Sequence, residues 1–158
     1  MHYDAETKGL PHNPLKALVA PRPIGWISTR GTQGDNLAPY SFFNATAYVP
    51  QQAMFASTGQ KRDRPGTKDT VAQVAESRVF CINIADGALA QAMNASTSAQ
   101  PAGVSEFDLA GVTALPCETI DCARVAEAAA SIECRATRII RQAAQVMAMP
   151  SSTPASAR

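Results

Sequence analysis

The sequence predicts a mainly β fold with short helices, arranged as an antiparallel barrel or sandwich. Short apolar runs rich in β-branched and aromatic residues recur along the chain, as is typical of strands. Clusters of Gly, Pro, Asn and Asp separate these runs and supply turns. No strand leads into the GxGxxG turn of a dinucleotide site, which argues against a Rossmann fold.

The segment from Arg22 to Asn44 is the centre of this prediction, and it reads RPIGWISTRGTQGDNLAPYSFFN. Its first part alternates as a strand does, and we assign Trp26 to the core. Glycine, aspartate and asparagine then supply a turn, after which the apolar run 40–43 begins a second strand. This hairpin sets hydroxyls and amides among aromatic rings, a combination that suits a flat ligand with an apolar face and polar edges.

The remaining elements follow from local pattern. The run 79–84 is almost continuously apolar, which predicts a strand buried on both faces, with Asn83 as a hydrogen-bonded core amide. Asp86 is expected to cap a short helix. The stretch 120–130 has no clear pattern, and only its Ala content favours a helix. Further strands are expected at 15–20, at 46–49 as an extension of the second strand, and at 53–58, 112–115 and 131–140, and residues 105–109 are expected to form a helical turn or an ordered loop.

A basic loop, GQKRDRPGTKDT, leads into a helical pattern over 71–76. Such a charge run is usually a solvated surface loop. Here Thr67 and Asp69 are both candidate N-caps, and free N–H groups at a helix start beside Lys68 and hydroxyls favour a phosphate. The sequence therefore leaves two readings of this loop, a solvated surface segment and an anion site.

Composition and charge exclude several classes. With 158 residues, 46% hydrophobic and 17% charged, the chain suits one globular domain. A net charge of +1 offers no footprint for nucleic acid or an anionic membrane. No segment reads as a membrane span or a signal peptide, so we expect a cytoplasmic protein that contacts neither membrane nor nucleic acid.

The titratable residues indicate neither a metal site nor a nucleophilic triad. Histidine occurs only at positions 2 and 12, and the four cysteines do not follow a paired zinc pattern. A Cys117–Cys122 disulfide is one reading, and reduced thiols are the favoured one. We therefore assign no metal and no catalytic acid, base or nucleophile, and expect a cofactor to carry any chemistry.

Taken in order, the motifs RPIGWIST, NLAPYSFFN, KDT before a helix, FCINI, AMNAS and GVSEFDLAG resemble the flavin reductase-like family over roughly residues 15–140. The resemblance implies an FMN-binding split β-barrel of antiparallel, Greek-key topology, usually a homodimer with FMN near the subunit interface. It also implies hydride transfer from NADH or NADPH to flavin, and in several members the supply of reduced flavin to a partner monooxygenase.

The motif positions carry the implied cofactor contacts. Ser28 and Thr29 would face the ribityl chain or phosphate, the second hairpin strand would line the ring, and Lys68 would hold the phosphate. Asp69 reads more naturally as a helix cap, because a carboxylate repels phosphate. The complete set of implied FMN-binding residues is Ser28, Thr29, Pro39, Tyr40, Ser41, Phe42, Asn44, Ser57, Thr58, Lys68, Asp69 and Thr70.

Three features depart from the family pattern. Gln73 stands where relatives commonly have Asn, and Ala123 and Ala129 stand where relatives often have Pro. The resemblance ends near Arg141, so we expect a split-barrel domain over 1–141 and a low-complexity, disordered tail over 142–158, as if the barrel were truncated or frameshifted. Two alternatives to the enzyme therefore stay open, an FMN-binding electron carrier without turnover and an inactive remnant of a reductase.

Overall fold

A computed structural model describes residues 14–59, 66–98, 100–101 and 104–141. The chain divides into two compact units, one of residues Pro21–Ile139 and one of the two chain ends, Met1–Ala20 with Ile140–Arg158. In the terminal unit, residues Leu15–Leu18 form helix α1. A strand was predicted there and is wrong, because Pro14 stands at the N-cap of a run of good helix formers. The predicted tail lies outside the described residues.

The larger unit is built on a four-stranded sheet. Strand β1 (Gly25–Gly31) pairs antiparallel with β2 (Gly34–Tyr40) on one side and with β5 (Val79–Ile84) on the other, and β5 pairs with β8 (Ala130–Arg135). The strand order is β2-β1-β5-β8, with every pairing antiparallel. The predicted antiparallel class is confirmed.

Two small hairpins hold the other strands of the described residues. Strand β3 (Phe43–Tyr48) pairs with β4 (Gln51–Phe55), with an irregularity between Ala45 and Ala47. Strand β6 (Ala114–Pro116) pairs with β7 (Ala123–Val125). The helical prediction for 120–130 is therefore wrong, because Ala123 and Val125 are buried and pair with β6, which overrides Ala propensity.

The hairpin prediction was right in kind and wrong in its bounds. The β1–β2 turn is tight, and Gly34 has a φ of 104°, which a side chain would strain. The second strand ends at Tyr40 and does not include the rest of the aromatic run. That run bends at Ser41–Phe42 before β3 begins. Pro39 is tolerated inside β2 because β2 is an edge strand of the four-stranded sheet.

Short helices cover the sheet. Helix α2 (Asp69–Ser77) packs on β1 and β2, while α3 (Ala90–Ala95) and α4 (Glu106–Ala110) pack against each other. Asp86 caps the turn that leads into α3 by accepting from the N–H groups of Ala88 and Leu89. That cap, helix α2 and strand β5 were all predicted. Among the described residues, no helix has the length and apolar character needed to span a membrane.

The core lies on both faces of the sheet. One cluster joins Trp26 and Leu37 to Phe107 of α4, and a second joins Ile27 and Tyr40 to residues of β5 and α2. Trp26 is fully buried, and its indole Nε1 donates to Ser96 Oγ at 3.0 Å, so its assignment to the core is confirmed. Burial on both faces makes β1 and β5 the rigid centre from which the candidate site is built.

Candidate functional site

Tyr40 lies at the centre of the candidate site, where the β1–β2 ladder ends. Its backbone is opposite Gly25, and its ring packs against Phe55, with ring centroids 4.9 Å apart. Phe55 in turn packs edge-on against Phe80 of β5, with centroids 5.2 Å apart. The three rings form a continuous apolar wall, which is a rigid aromatic support. The place where this wall meets the start of helix α2, beside Tyr40, is called the corner below.

The Tyr40 hydroxyl is the unusual group in this wall. It is buried and makes no hydrogen bond of standard geometry within the described part of the chain. Burial raises the pKa of the phenol, while the neighbouring hydroxyls of Thr70 and Ser57 act against that rise. A buried polar atom without a regular partner is rare in proteins, and it marks a place where a ligand can supply one.

Lys68 approaches the same ring from the start of helix α2. Its Nζ lies 5.9 Å from the centroid of Tyr40, within range of a cation–π contact. Lys68 is also the N-cap residue of the helix, and its side chain makes no capping hydrogen bond to the first turn. The proposed N-caps Thr67 and Asp69 are therefore wrong, and Asp69 is instead the first residue of the helix.

The corner thus combines a cation, an uncapped helix start and hydroxyls beside an aromatic wall. This is the donor set that a phosphate group requires, since helix N-termini and Lys both favour anions. The carboxylates of Asp69 and Glu106 also lie near enough to raise the pKa of the Tyr40 phenol. These two acids oppose anion binding at the corner, and the positive charge of Lys68 offsets them.

A buried polar network connects helix α2 to the hairpin. The Asn36 amide donates to Thr70 Oγ1 at 2.8 Å and to Thr29 Oγ1 at 3.3 Å. Thr29 Oγ1 donates to Gln73 Oε1 at 2.6 Å, and Gln73 Nε2 donates to the Gly34 carbonyl at 3.2 Å. The first two turns of the helix are therefore held on the hairpin by side-chain hydrogen bonds.

The structure brings together only part of the predicted site. Tyr40, Ser57, Lys68, Asp69 and Thr70 meet at the corner. Ser41 and Phe42 lie half-buried in the adjoining bend, and Phe42 O accepts from the Ala56 N–H at 2.8 Å, which ties the bend to the end of β4. The others lie around this corner: Pro39 is half-buried in β2, Asn44 is exposed on β3, and Thr58 is exposed after β4.

Ser28 and Thr29 have internal roles instead of facing the corner. Both are fully buried. Ser28 Oγ donates to the Ala123 carbonyl at 2.6 Å and accepts from Asn83, while Thr29 belongs to the Asn36 network. Their hydroxyls satisfy polar groups between the sheet and β7 or α2, so we leave them out of the proposed cofactor contacts.

Two residues beside the corner were missed from sequence. The Arg22 guanidinium lies over the Phe42 ring, 5.7 Å from its centroid, because Gly25 pairs with Tyr40 and the residues flanking that pair run side by side. Asn36 was read only as turn chemistry, although its pairing with Thr29 directs it toward α2. No local pattern identifies such a contact, since it depends on where the helix docks.

The four cysteines are free thiols. Burial raises the pKa of Cys122 to about 12 and of Cys134 to about 11, and it raises the pKa of Cys81 further still. At neutral pH these thiols are protonated, so none of the three is an activated nucleophile. They serve as small apolar residues of the core.

The fold and the corner define an antiparallel β protein in which a lysine, hydroxyls and an aromatic wall meet beside a helix start. Residues 18–149 match the flavin reductase like domain, and the chain belongs to this family. The match passes Arg141, where the sequence resemblance was expected to end. The split-barrel fold predicted from the motifs is likewise confirmed.

Relatives and solved structures agree with this assignment. The chain is 34% identical to an uncharacterised protein of Deinococcus radiodurans (80% of this chain, 57% of that protein) and 36% identical to one of Aquifex aeolicus (75% and 60%). It therefore spans about 60% of the length of these curated relatives.

Among solved structures, it superposes on nitrilotriacetate monooxygenase component B of Bacillus cereus with a TM-score of 0.76 at 28% identity (87% of this chain, 69% of that one). It superposes on the 2-nitrobenzoate 2-nitroreductase NbaA of Pseudomonas fluorescens with a TM-score of 0.72 at 29% identity (89% and 67%). Flavoredoxin of Desulfovibrio vulgaris, at 18% identity and a TM-score of 0.68 (89% and 69%), shares the fold.

Proposed function

We propose that this chain binds FMN and transfers a hydride from NADH or NADPH to flavin. The observation that carries the proposal is the meeting of Lys68, the uncapped start of α2 and the buried Tyr40 hydroxyl at one corner. Membership of the flavin reductase like family supplies the chemistry to which that corner is suited. A bound flavin would supply the electron-accepting ring, which takes up the hydride.

The residues present fit such a ligand. Lys68 and the hydroxyls of Ser57 and Thr70 would hold the phosphate, since they supply a positive charge and donors at one place. The bend at Ser41–Phe42 would offer the ring an apolar contact and backbone polar groups at its edge. Arg22, over Phe42, would add a second positive charge along the same segment.

A partner monooxygenase is the proposed acceptor of the reduced flavin. The support is the likeness to nitrilotriacetate monooxygenase component B of Bacillus cereus, whose name describes one part of a multi-component oxygenase. We also propose a cytoplasmic location, where NADH and NADPH are available as donors. The chain matches only part of the length of its relatives, and both proposals are made for the whole protein.

A homodimer is the third part of the proposal. The β3–β4 hairpin exposes large apolar side chains at its tip, where Tyr48 is 86% exposed and Val49 80% exposed. Met54 on the same hairpin is 53% exposed. Apolar side chains grouped on one exposed element favour a protein–protein contact over solvent exposure.

The test of the function begins with the purified chain and FMN. Flavin fluorescence quenching measures binding, and NADH or NADPH oxidation at 340 nm with added FMN measures turnover. Binding with steady oxidation of either nicotinamide supports the reductase. Tight FMN binding without oxidation of either donor would assign the electron-carrier alternative, and a chain that binds no flavin would defeat the proposal.

A further inference from the structure

We infer that Asn36 is a positioning residue that makes the corner selective for phosphorylated flavin over riboflavin. The inference rests on the proposed function, because it concerns the phosphate end of the same site. Asn36 itself is 7% exposed and lies behind the corner, so it acts through Thr70.

The direction of the hydrogen bonds is the first argument. The Asn36 amide donates to Thr70 Oγ1 at 2.8 Å, so the Thr70 oxygen acts as acceptor in that bond. A hydroxyl that accepts one hydrogen bond keeps its own proton for another acceptor. Thr70 is 1% exposed, and its side chain lies beside the Tyr40 hydroxyl at the Lys68 corner. Asn36 therefore sets Thr70 to donate toward that corner, where a phosphate oxygen would compete with the Tyr40 oxygen for the Thr70 proton.

The second argument is that the same network fixes the helix to which Lys68 belongs. Asn36 also donates to Thr29, which donates to Gln73 one turn further along α2. Gln73 packs so closely that a Cβ added at Gly31 would stand 2.6 Å from its Cγ. Two anchoring points one turn apart determine the rotation and depth of the helix, and with them the position of its N-terminal N–H groups.

The geometry gives a selective effect. The bend at Ser41–Phe42, which would contact the flavin ring, is held by the hydrogen bond from the Ala56 N–H to the Phe42 carbonyl, outside the Asn36 network. Loss of the Asn36 amide should therefore weaken the phosphate contacts and leave the ring contacts in place. A general loss of structure would weaken the binding of both flavins equally.

The experiment measures the dissociation constants of FMN and riboflavin for the full chain and for Asn36→Ala, with melting temperatures recorded for each. We expect Asn36→Ala to weaken FMN binding about tenfold, as for loss of one buried hydrogen bond to a charged ligand site. The dissociation constant of riboflavin should change by less than about threefold, which is about half the free-energy change of a tenfold effect. Gln91→Ala removes an exposed amide on α3 and is the matched control, with both constants expected to be unchanged.

A second pair of variants keeps the test decisive if Asn36→Ala does not fold. Thr70→Val removes the hydroxyl at constant shape, and Thr70→Ser retains it. Thr70→Val should lose the preference for FMN, and Thr70→Ser should restore it. In the double variant Asn36→Ala/Thr70→Val, the free-energy loss of FMN binding should be smaller than the sum of the two single losses, because Asn36 acts in part through Thr70.

Equal weakening of FMN and riboflavin binding in Asn36→Ala would overturn the inference, and so would unchanged FMN binding. Equal affinity of the unaltered chain for the two flavins would also overturn it while leaving flavin binding established. If the unaltered chain binds neither flavin, the proposed function fails together with the inference.

Discussion

At the residue scale, Lys68 is the cation on which the proposed phosphate contact depends. We expect Lys68→Ala to weaken FMN binding by at least about tenfold, because it removes a charge-assisted hydrogen bond. Lys68→Arg should retain most of the affinity, since the charge is kept. Fluorescence titration measures both, and Arg138→Ala, which removes an exposed cation beyond β8, is the control. Unchanged affinity in Lys68→Ala would remove the phosphate assignment.

Asn83 shows the other use of a polar residue, inside the core. It is fully buried and donates to the Trp26 carbonyl and to Ser28 Oγ, each at 3.0 Å. Its own oxygen accepts from the Val125 N–H at 2.9 Å and from Ser131 Oγ at 3.1 Å. One amide thus connects its own strand β5 to β1, β7 and β8, and the prediction of a satisfied core amide is confirmed.

Removing that amide leaves several buried groups without partners. We expect Asn83→Ala to lower the free energy of unfolding by about 3 kcal/mol, because unsatisfied buried groups cost more than a hydrogen bond contributes. Urea denaturation followed by tryptophan fluorescence of Trp26 measures it. Asn94→Ala, at an exposed position of α3, should change stability by less than about 0.5 kcal/mol. A loss below about 1 kcal/mol in Asn83→Ala would show that the network is dispensable.

At the element scale, a carboxylate holds the turn between β6 and β7. Glu133 of β8 accepts from the backbone N–H groups of Glu118 and Thr119, each at 2.7 Å, and from the Thr119 hydroxyl. The Thr119 hydroxyl, followed by these N–H groups, lowers the pKa of Glu133. The ionised carboxylate therefore stabilises the β6–β7 turn, which has little regular secondary structure.

This arrangement predicts a pH dependence of stability. Because the pKa of Glu133 is lower in the folded than in the unfolded chain, its stabilising effect is fully present above the unfolded value of about 4.3. That effect is lost as the pH falls through the folded pKa. We expect the melting temperature of the unaltered chain to fall more steeply between pH 5 and pH 3 than that of Glu133→Gln.

The control for this prediction is Glu76→Gln, which removes an exposed carboxylate from α2, outside this turn. Its melting temperature should follow the unaltered chain across the same pH range. If Glu133→Gln also follows the unaltered chain, the turn does not depend on the charge of Glu133.

At the scale of the whole molecule, the exposed tip of the β3–β4 hairpin governs the proposed assembly. We expect the double substitution Tyr48→Glu/Val49→Glu to convert a dimer into a monomer, because burying two charges at an apolar contact is unfavourable. Size-exclusion chromatography with light scattering measures the mass. Thr32→Glu, at the exposed β1–β2 turn, is the control and should remain dimeric. An unaltered chain that is monomeric at every concentration would contradict the proposed dimer.

Most of the fold followed from local pattern. Strand β5 was predicted with its bounds, because a near-continuous apolar run bounded by turn residues requires burial. Strand β1 was predicted with its core tryptophan from an alternating run of β-branched and aromatic residues. The Asp86 cap was equally readable, since it depends on neighbours only two and three residues away. The family motifs, taken in order, identified the split barrel.

Tertiary structure alone decided three features: the bounds of the aromatic bend, the pairing of β7, and the direction of Ser28 and Thr29. Each depends on what packs against the segment, and residues far apart in sequence supply that partner: Ala123 for Ser28, and Gln73 for Thr29. The sequence by itself determined which residues must be buried and which family the chain belongs to. The docking of α2 on the hairpin decided which hydroxyls lie beside the corner, because Ser28 and Thr29 donate their hydroxyl protons to Ala123 and Gln73 inside the fold.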